Sequence, residues 1–323
     1  MTVRFGLIGP GKIADRHLAP ALRRVEGAQL WSVLSRDPER AAAFAAEHGA
    51  GKDDPVARSL EDMLADDELD AVIIATPDKL HAEQCVAAAE AGKHVFVEKP
   101  MATDLDDAER MIATCRRNDV RLGVAYHLRW HAGHRALVEA IRRSDIGRIH
   151  HVRAQWSWRA GDASNWRASE NVGRWWGLAG VGTHLLDLVR WILVPESGEV
   201  AELGSIITRE KFRGPHDETA VLSLRFERGA TAQIVSSVLF DGPTRFEVYG
   251  QRGWFLCEDT LGPHGHGRIL TDRGPMEYDA VDPYDGELLD FVKAVRDGRP
   301  PEVDGIEGRR NVELLLQAVD GTT

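Results

Sequence analysis

The sequence predicts an α/β protein with an N-terminal doubly wound parallel sheet and a C-terminal α+β domain built on a large, mostly antiparallel open sheet. Three observations lead there. Strand and helix patterns alternate through the first 125 residues, the order that builds a parallel sheet with helices on both faces. A glycine-rich turn, Gly9-Pro10-Gly11, separates the first strand from the first helix. After Tyr126 the pattern changes to many short strands joined by turns, which points to antiparallel pairing. The expected division is 1–125 and 126–323, with the closing helices able to pack back on the first domain.

Val3 to Ile8 is a short apolar run, and the helix after the glycine turn extends to about Val25. Gln29 to Leu34 reads as the second strand. Asp37 and Pro38 then open a helix as N-cap and first helical residue, and Gly49 closes it. Ser59 followed by Asp62 marks another helix start. Ala71 to Ala75 is continuously apolar, as a strand covered on both faces must be. Helices over Lys79 to Ala91 and Leu105 to Asn118 alternate with strands His94 to Val97 and Arg121 to Ala125. Beyond the boundary come a helix from Ala132 to Ser144 and a strand from Ile149 to Ser157. A loop rich in Trp, Gly and Arg reaches to about Ala179, and a helix covers Thr183 to Leu193. The stretch from Val200 to Ala280 carries several strands, and helices near Tyr284 to Arg296 and Glu307 to Val319 end the chain.

Composition narrows the function. With 43% hydrophobic and 28% charged residues the chain is typical of a folded globular protein. A net charge of −11 gives no general attraction to nucleic acid or anionic membrane. No uninterrupted apolar run reaches the roughly 18 residues of a membrane span, and no signal-peptide pattern opens the sequence. Cys85, Cys115 and Cys257 are widely spaced and odd in number, so neither a disulfide framework nor a CxxC metal site is expected. The cytoplasm is the expected compartment.

Gly9-Pro10-Gly11-Lys12-Ile13-Ala14 fits G-x-G-x-x-A. Gly9 permits the tight turn, Gly11 lets backbone approach a pyrophosphate, and Ala14 permits close helix–strand packing. The following helix start offers free N–H groups to phosphate. In this strand–turn–helix setting the motif predicts a Rossmann domain that binds a dinucleotide. The end of the second strand selects between cofactors. An acidic residue there would hold the ribose 2′-hydroxyl of NAD; Ser35 and Arg36 stand there instead and suit the 2′-phosphate of NADP. NADP is therefore favoured over NAD, with Arg36 as a plain surface residue the alternative.

Two further segments lie at carboxyl ends of parallel strands, where such sheets bind ligands. Thr76-Pro77-Asp78-Lys79-Leu80-His81 follows the third strand, and Glu98-Lys99-Pro100 ends the fourth. A lysine emerging there, fixed by a following proline, can hydrogen-bond a substrate oxygen or exchange a proton with it.

With these residues the sequence resembles the Gfo/Idh/MocA oxidoreductase family over nearly its whole length. The glycine loop, Thr76-Pro77…His81, Ala91-Gly92-Lys93-His94…Glu98-Lys99-Pro100, Gly182-Thr183-His184-Leu185-Leu186-Asp187 and Asp297-Gly298-Arg299-Pro300-Pro301 carry the resemblance. It implies a nicotinamide cofactor held by Gly9, Gly11, Lys12, Ile13, Ser35, Arg36, Thr76, Pro77, His81, Glu98 and Lys99. It implies catalysis by Lys99 and His184, a second domain that often forms subunit contacts, and hence a homo-oligomer, a dimer or tetramer. The expected reaction is hydride transfer at a hydroxyl-bearing carbon of a sugar, polyol or derivative. Two other readings stand beside it: a redox-neutral sugar enzyme with a tightly bound nicotinamide, and a non-catalytic nicotinamide-binding sensor.

The sequence departs from the family at one place. The pattern D-x-G-x-H has its His at His184 and its Gly at Gly182, but Gly180 stands where the Asp belongs. Asp187, on the other side of His184, reads either as a substrate residue or as an ordinary helix residue. Tyr126, Arg129, Trp158 and Trp166 are further substrate-side candidates. Arg129 can equally be structural, and the cluster Trp156, Trp158, Trp166, Trp175 and Trp176 can equally pack an interface. His127, His131 and His134 have helical spacing without a completing carboxylate or cysteine, so no metal is expected. His264-Gly265-His266 reads as a turn.

Overall fold

In a computed structural model, which describes residues 1–162, 164, 166–168 and 173–321, five parallel strands form the first sheet in the order β2-β1-β3-β4-β5. They are β1 (Val3–Ile8), β2 (Ala28–Leu34), β3 (Ala71–Ile74), β4 (His94–Glu98) and β5 (Leu122–Ala125). Their crossovers carry α1 (Ala19–Arg24), α2 (Pro38–His48), α3 (Leu60–Leu64), α4 (His81–Glu90) and α5 (Leu105–Arg117). Every residue of β3 is buried, as its unbroken apolar composition requires. The register pairs Ile8 with Ile74 and Ile74 with Val97, so the carboxyl ends of the three central strands lie side by side.

The local start and stop signals hold. Asp37 Oδ1 accepts from the N–H groups of Glu39 and Arg40, Ser59 Oγ from Asp62, and Asp104 Oδ1 from Asp107. Gly49 closes α2 in the left-handed conformation at φ 69°. One feature departs from the expected plain helix. After the glycine loop, Ala14–Leu18 forms a π-helical turn, with Ala19 N–H donating to Ala14 C=O, before α1 begins.

The chain forms two compact units. The first comprises Met1–Tyr126 and Tyr284–Val312, so it includes α8 (Pro283–Asp297) almost entirely and the opening half of α9 (Gly305–Asp320). Phe291 of α8 packs its ring 6.1 Å from Phe5 and 5.2 Å from Phe96. Gly123 of β5 leaves the space that ring occupies, since a Cβ there would stand 2.7 Å from Phe291 Cδ2.

The second unit comprises His127–Pro283 and the chain from Glu313. It opens with a 3-10 turn at His127–Trp130 and α6 (Ala132–Arg142). Eight strands follow: β6 (Ile149–Ser157), β7 (Val200–Thr208), β8 (Thr219–Phe226), β9 (Thr231–Ser237), β10 (Arg245–Gly250), β11 (Trp254–Glu258), β12 (Arg268–Thr271) and β13 (Gly274–Met276). The order is β13-β12-β11-β10-β6-β9-β8-β7, antiparallel throughout except for β6 and β9, which run parallel at its centre. Burial alternates along the strands: Val152, Ala154, Ala220, Leu222, Leu224, Ala232, Ile234, Phe246 and Val248 face inward, while Arg153, Ser223 and Gln233 are exposed.

α7 (Thr183–Ser197) packs on β6, β8 and β9. Its helical path begins earlier than the sequence indicates, with a π-helical turn at Leu178–Gly182 in place of the expected loop. Leu178–Ser197 is 20 residues long with mean hydropathy 1.3, long and apolar enough to cross a membrane, yet 78% of its most apolar window is buried inside the fold. The sequence shows no uninterrupted run of that length because His184, Asp187 and Arg190 fall within it.

Candidate active site

In the first unit the glycine loop is shaped by its backbone. Gly9 sits at φ +88°, and a Cβ there would come within 2.9 Å of Ala75 O and Thr76 Cγ2. No residue but glycine fits that position. Gly11 is the reverse case: nothing but Gly9 O, 4.0 Å away, would meet its Cβ, so this face of the loop is open. Gly11 N–H donates to Gly9 C=O at 2.8 Å, and Lys12 is exposed beside it. An open glycine backbone leading into a helix start fits the pyrophosphate of a dinucleotide. At the end of β2, Ser35 Oγ accepts from Asp37 N–H at 3.1 Å, and the Asp37 carboxylate is engaged as the α2 cap. Arg36 is exposed.

Behind β3 and β4 the second edge of this unit takes shape. Thr76 Oγ1 donates to Gln84 Oε1 at 2.6 Å. His81 is fully buried, its Nδ1 3.0 Å from Pro100 O and its Nε2 2.9 Å from Thr76 O. The ring therefore braces the turn after β3 against the chain after β4. Pro77 precedes the 3-10 turn Asp78–Leu80 that leads to it. The Lys99–Pro100 peptide is cis. Lys99 N–H donates to Glu98 Oε2 at 3.2 Å, and both side chains are largely buried.

In the second unit His184 lies in the first turn of α7, buried, between two rings. His127 meets it edge-on at 4.8 Å between centroids and 75° between planes, and Trp156 of β6 lies 5.8 Å away at 34°. His127 Nε2 lies 3.0 Å from Gly262 O, which fixes that ring in turn. Arg129 and Asp187 form a bidentate pair, Nε to Oδ2 at 2.8 Å and Nη2 to Oδ1 at 2.6 Å, with side chains only 3% and 1% exposed. This pair fastens the 127–130 turn to α7 in the turn beside His184. The sequence left Arg129 and Asp187 between substrate binding and structure; the geometry gives both a structural task.

His131 and His134 are also engaged by their surroundings. His131 Nε2 lies 3.0 Å from His266 O while its Nδ1 accepts from Gly133 N–H. His134 places Nδ1 2.9 Å from Leu128 O and Nε2 2.9 Å from Thr260 Oγ1. Complete burial, reinforced by His131, pushes the His134 imidazolium down to about 3. Among the described residues the one group with metal-ligand spacing is elsewhere. Asp15, Glu47 and His48 bring ligand atoms within 4.8 Å of one another, with His48 Nε2 3.0 Å from Asp15 Oδ1. Folding also brings Cys85 and Cys115 together, at 3.8 Å between sulfurs inside the first unit, despite their separation in sequence.

Gly180 has a physical partner. A Cβ at this position would stand 2.5 Å from Trp158 Cη2 and 3.0 Å from Cζ3, so the indole occupies the space a side chain would take. Trp176 packs with Ala160 and Val238 in a small apolar cluster that Trp158 and Phe212 border. The side chain of Trp166 lies outside the described residues; its backbone forms a short 3-10 turn with Arg167 and Ala168. Tyr126 is buried at the end of β5.

Sequence reasoning missed the residues that hold the His184 region in place. Asp217 Oδ1 accepts from Trp176 N–H at 2.8 Å and Oδ2 from Leu178 N–H at 2.7 Å, capping the helix start from the segment just before β8. Burial drives this carboxyl up to about 6 in spite of those two donors. Its neighbour Glu218 accepts from the backbone of Lys211 and Arg213. Nothing local in the sequence marks Asp217 as a cap, since its donors lie 41 and 39 residues earlier in the chain.

The fold and these two sets of residues define a class: a Rossmann dinucleotide-binding domain followed in the chain by an α+β domain on a mixed open sheet. Comparison places it further. Residues 3–126 match the model described as the oxidoreductase family with NAD-binding Rossmann fold, and residues 134–256 match the GFO/IDH/MocA C-terminal domain. The chain belongs to the Gfo/Idh/MocA oxidoreductase family. It is 31% identical to a 1,5-anhydro-D-fructose reductase of Ensifer adhaerens, over 94% of this chain and 92% of that protein. It is 30% identical to a myo-inositol 2-dehydrogenase of Thermotoga maritima, over 97% and 94%. The solved WlbA dehydrogenase of Bordetella pertussis, in complex with NADH and UDP-GlcNAcA, matches with TM-score 0.84 and 27% identity over 99% of this chain and 96% of that one. Sugar and polyol dehydrogenases and reductases are thus among its relatives.

Proposed function

We propose that this protein interconverts a hydroxyl-bearing carbon and the corresponding carbonyl on a sugar, polyol or derivative, with a nicotinamide cofactor. The observation that carries the reading is Lys99, presented at the carboxyl end of β4 with its backbone anchored on Glu98 and the following proline braced by His81. A nicotinamide, when bound, accepts or donates the hydride.

The chain's own residues supply the rest. Gly9, Gly11, Lys12 and Ile13 form the open loop that suits a pyrophosphate, and Thr76, Pro77 and Glu98 border the turns beside it. His81 acts by positioning those turns. Ser35 and Arg36 offer a hydroxyl and a guanidinium where a carboxylate would favour NAD, so NADP is the preferred cofactor. As substrate is oxidised its hydroxyl must release a proton. Lys99 stabilises the developing alkoxide or takes that proton, and His184 assists the transfer or holds the hydroxyl. Arg129 and Asp187 hold the helix turn that carries His184.

The test is a screen of sugars and polyols with both cofactors at 340 nm, on the native protein and on Lys99→Met. Turnover should fall by a factor on the order of 10²–10⁴, while cofactor affinity, followed by NADPH fluorescence, changes far less. Undiminished turnover in the variant ends the assignment of Lys99.

A further inference from the structure

Strand and helix geometry set two indoles over the start of the His184 helix. Trp156 and Trp158 are alternate residues of one extended run, so they project to the same face about 6.7 Å apart. Gly180 and His184 are four residues apart on the helical path, roughly 6 Å along its axis. The two spacings match, and the structure uses the match: Trp156 lies against His184 and Trp158 lies across Gly180. Both indoles are only partly buried. A Cβ at position 180 would stand 2.5 Å from the outer ring edge of Trp158, so a side chain there would displace the indole.

We infer that Trp156 and Trp158 form an aromatic platform beside His184 that takes the apolar C–H face of a six-membered polyol ring, and that Gly180 is present to seat Trp158. The proposal rests on the sugar or polyol reading above and narrows it to cyclic substrates. An aromatic face attracts the weakly positive C–H hydrogens of a pyranose or cyclitol ring. Replacing a carboxylate position by an indole exchanges a hydrogen-bonding wall for a flat apolar one, so this chain should discriminate ring from open-chain polyols.

The experiment measures binding and turnover separately. The protein is loaded with NADP⁺, and Kd values are obtained for D-glucose, D-xylose and myo-inositol as cyclic probes and for D-sorbitol and glycerol as open-chain probes, with saturation-transfer NMR reporting which protons touch the protein. Cyclic probes should bind more tightly than D-sorbitol, with saturation strongest on ring C–H protons. Trp158→Leu, which keeps apolar volume, should weaken the cyclic probes about tenfold and leave the open-chain probes within about twofold. Trp158→Phe should retain part of the preference. Gly180→Ala, which displaces the indole, should reproduce the Trp158→Leu pattern, and the double variant should be no worse than either single one. Thermal unfolding of each variant separates loss of the platform from loss of the fold. Equal weakening of cyclic and open-chain probes, no effect of Trp158→Leu, or no binding of any cyclic probe by the native protein overturns the platform. Hydride transfer that is indifferent to Trp158 would spare the function and sink the platform; Trp158-dependent binding without hydride transfer would do the reverse.

Discussion

Helix starts in this protein are capped in two opposite ways. In the first unit α2, α3 and α5 are capped by Asp37, Ser59 and Asp104, each two or three residues from the N–H group it accepts. In the second, the helix that carries His184 is capped by Asp217, which lies 39 residues beyond Leu178 in the chain. The same contrast runs through the sites. The glycine loop is built from its own backbone torsions, whereas His184 is set by His127, Trp156 and an ion pair whose members are 58 residues apart. A local device survives most changes elsewhere in the molecule. A device assembled across the fold depends on every element that contributes to it.

The largest test of this contrast is the buried pair. Arg129→Met or Asp187→Leu leaves its partner charged and enclosed, and should destabilise the protein by about 3–5 kcal/mol, read from denaturant unfolding. The double variant should recover much of the loss. Single variants as stable as the native protein would show that the pair does not hold the helix. Next comes Asp217. Its carboxyl rises from 3.8 to about 6 on folding, so between those values the folded chain keeps a proton that the unfolded chain has released. The stability this contributes is complete below pH 3.8 and is lost as pH rises through 6. The change is on the order of 3 kcal/mol and should vanish in Asp217→Asn. Parallel pH profiles for the two proteins would contradict it. The smallest effect belongs to the locally built side. Arg36→Ala should weaken NADPH binding about tenfold while leaving NADH binding and stability unchanged. Tighter binding of NADH than of NADPH by the native protein would remove Arg36 from the cofactor assignment.

What could be read beforehand follows the same division. The strand–helix alternation, the caps at Asp37 and Ser59, the left-handed Gly49 and the need for glycine at position 9 are properties of short segments, and pattern reasoning reached all of them. The parallel pairing of β6 with β9 was not legible, because strand patterns record burial and say little of neighbour or direction. The early start of the His184 helix was missed for a related reason. Gly177, Gly180 and Gly182 look like loop residues until the neighbours that exclude their side chains are seen, namely Asp217, Trp158 and Ser236.

Sequence alone therefore determined the two-part α/β architecture, the dinucleotide-type loop and the candidate lysine and histidine, because these depend on chain-local torsions, periodicity and residue chemistry. Tertiary structure alone decided that Arg129 and Asp187 pair with each other, that Asp217 caps the His184 helix, and that Trp158 stands over Gly180. Those outcomes depend on volume and charge brought together from distant segments, and no window of sequence contains both partners.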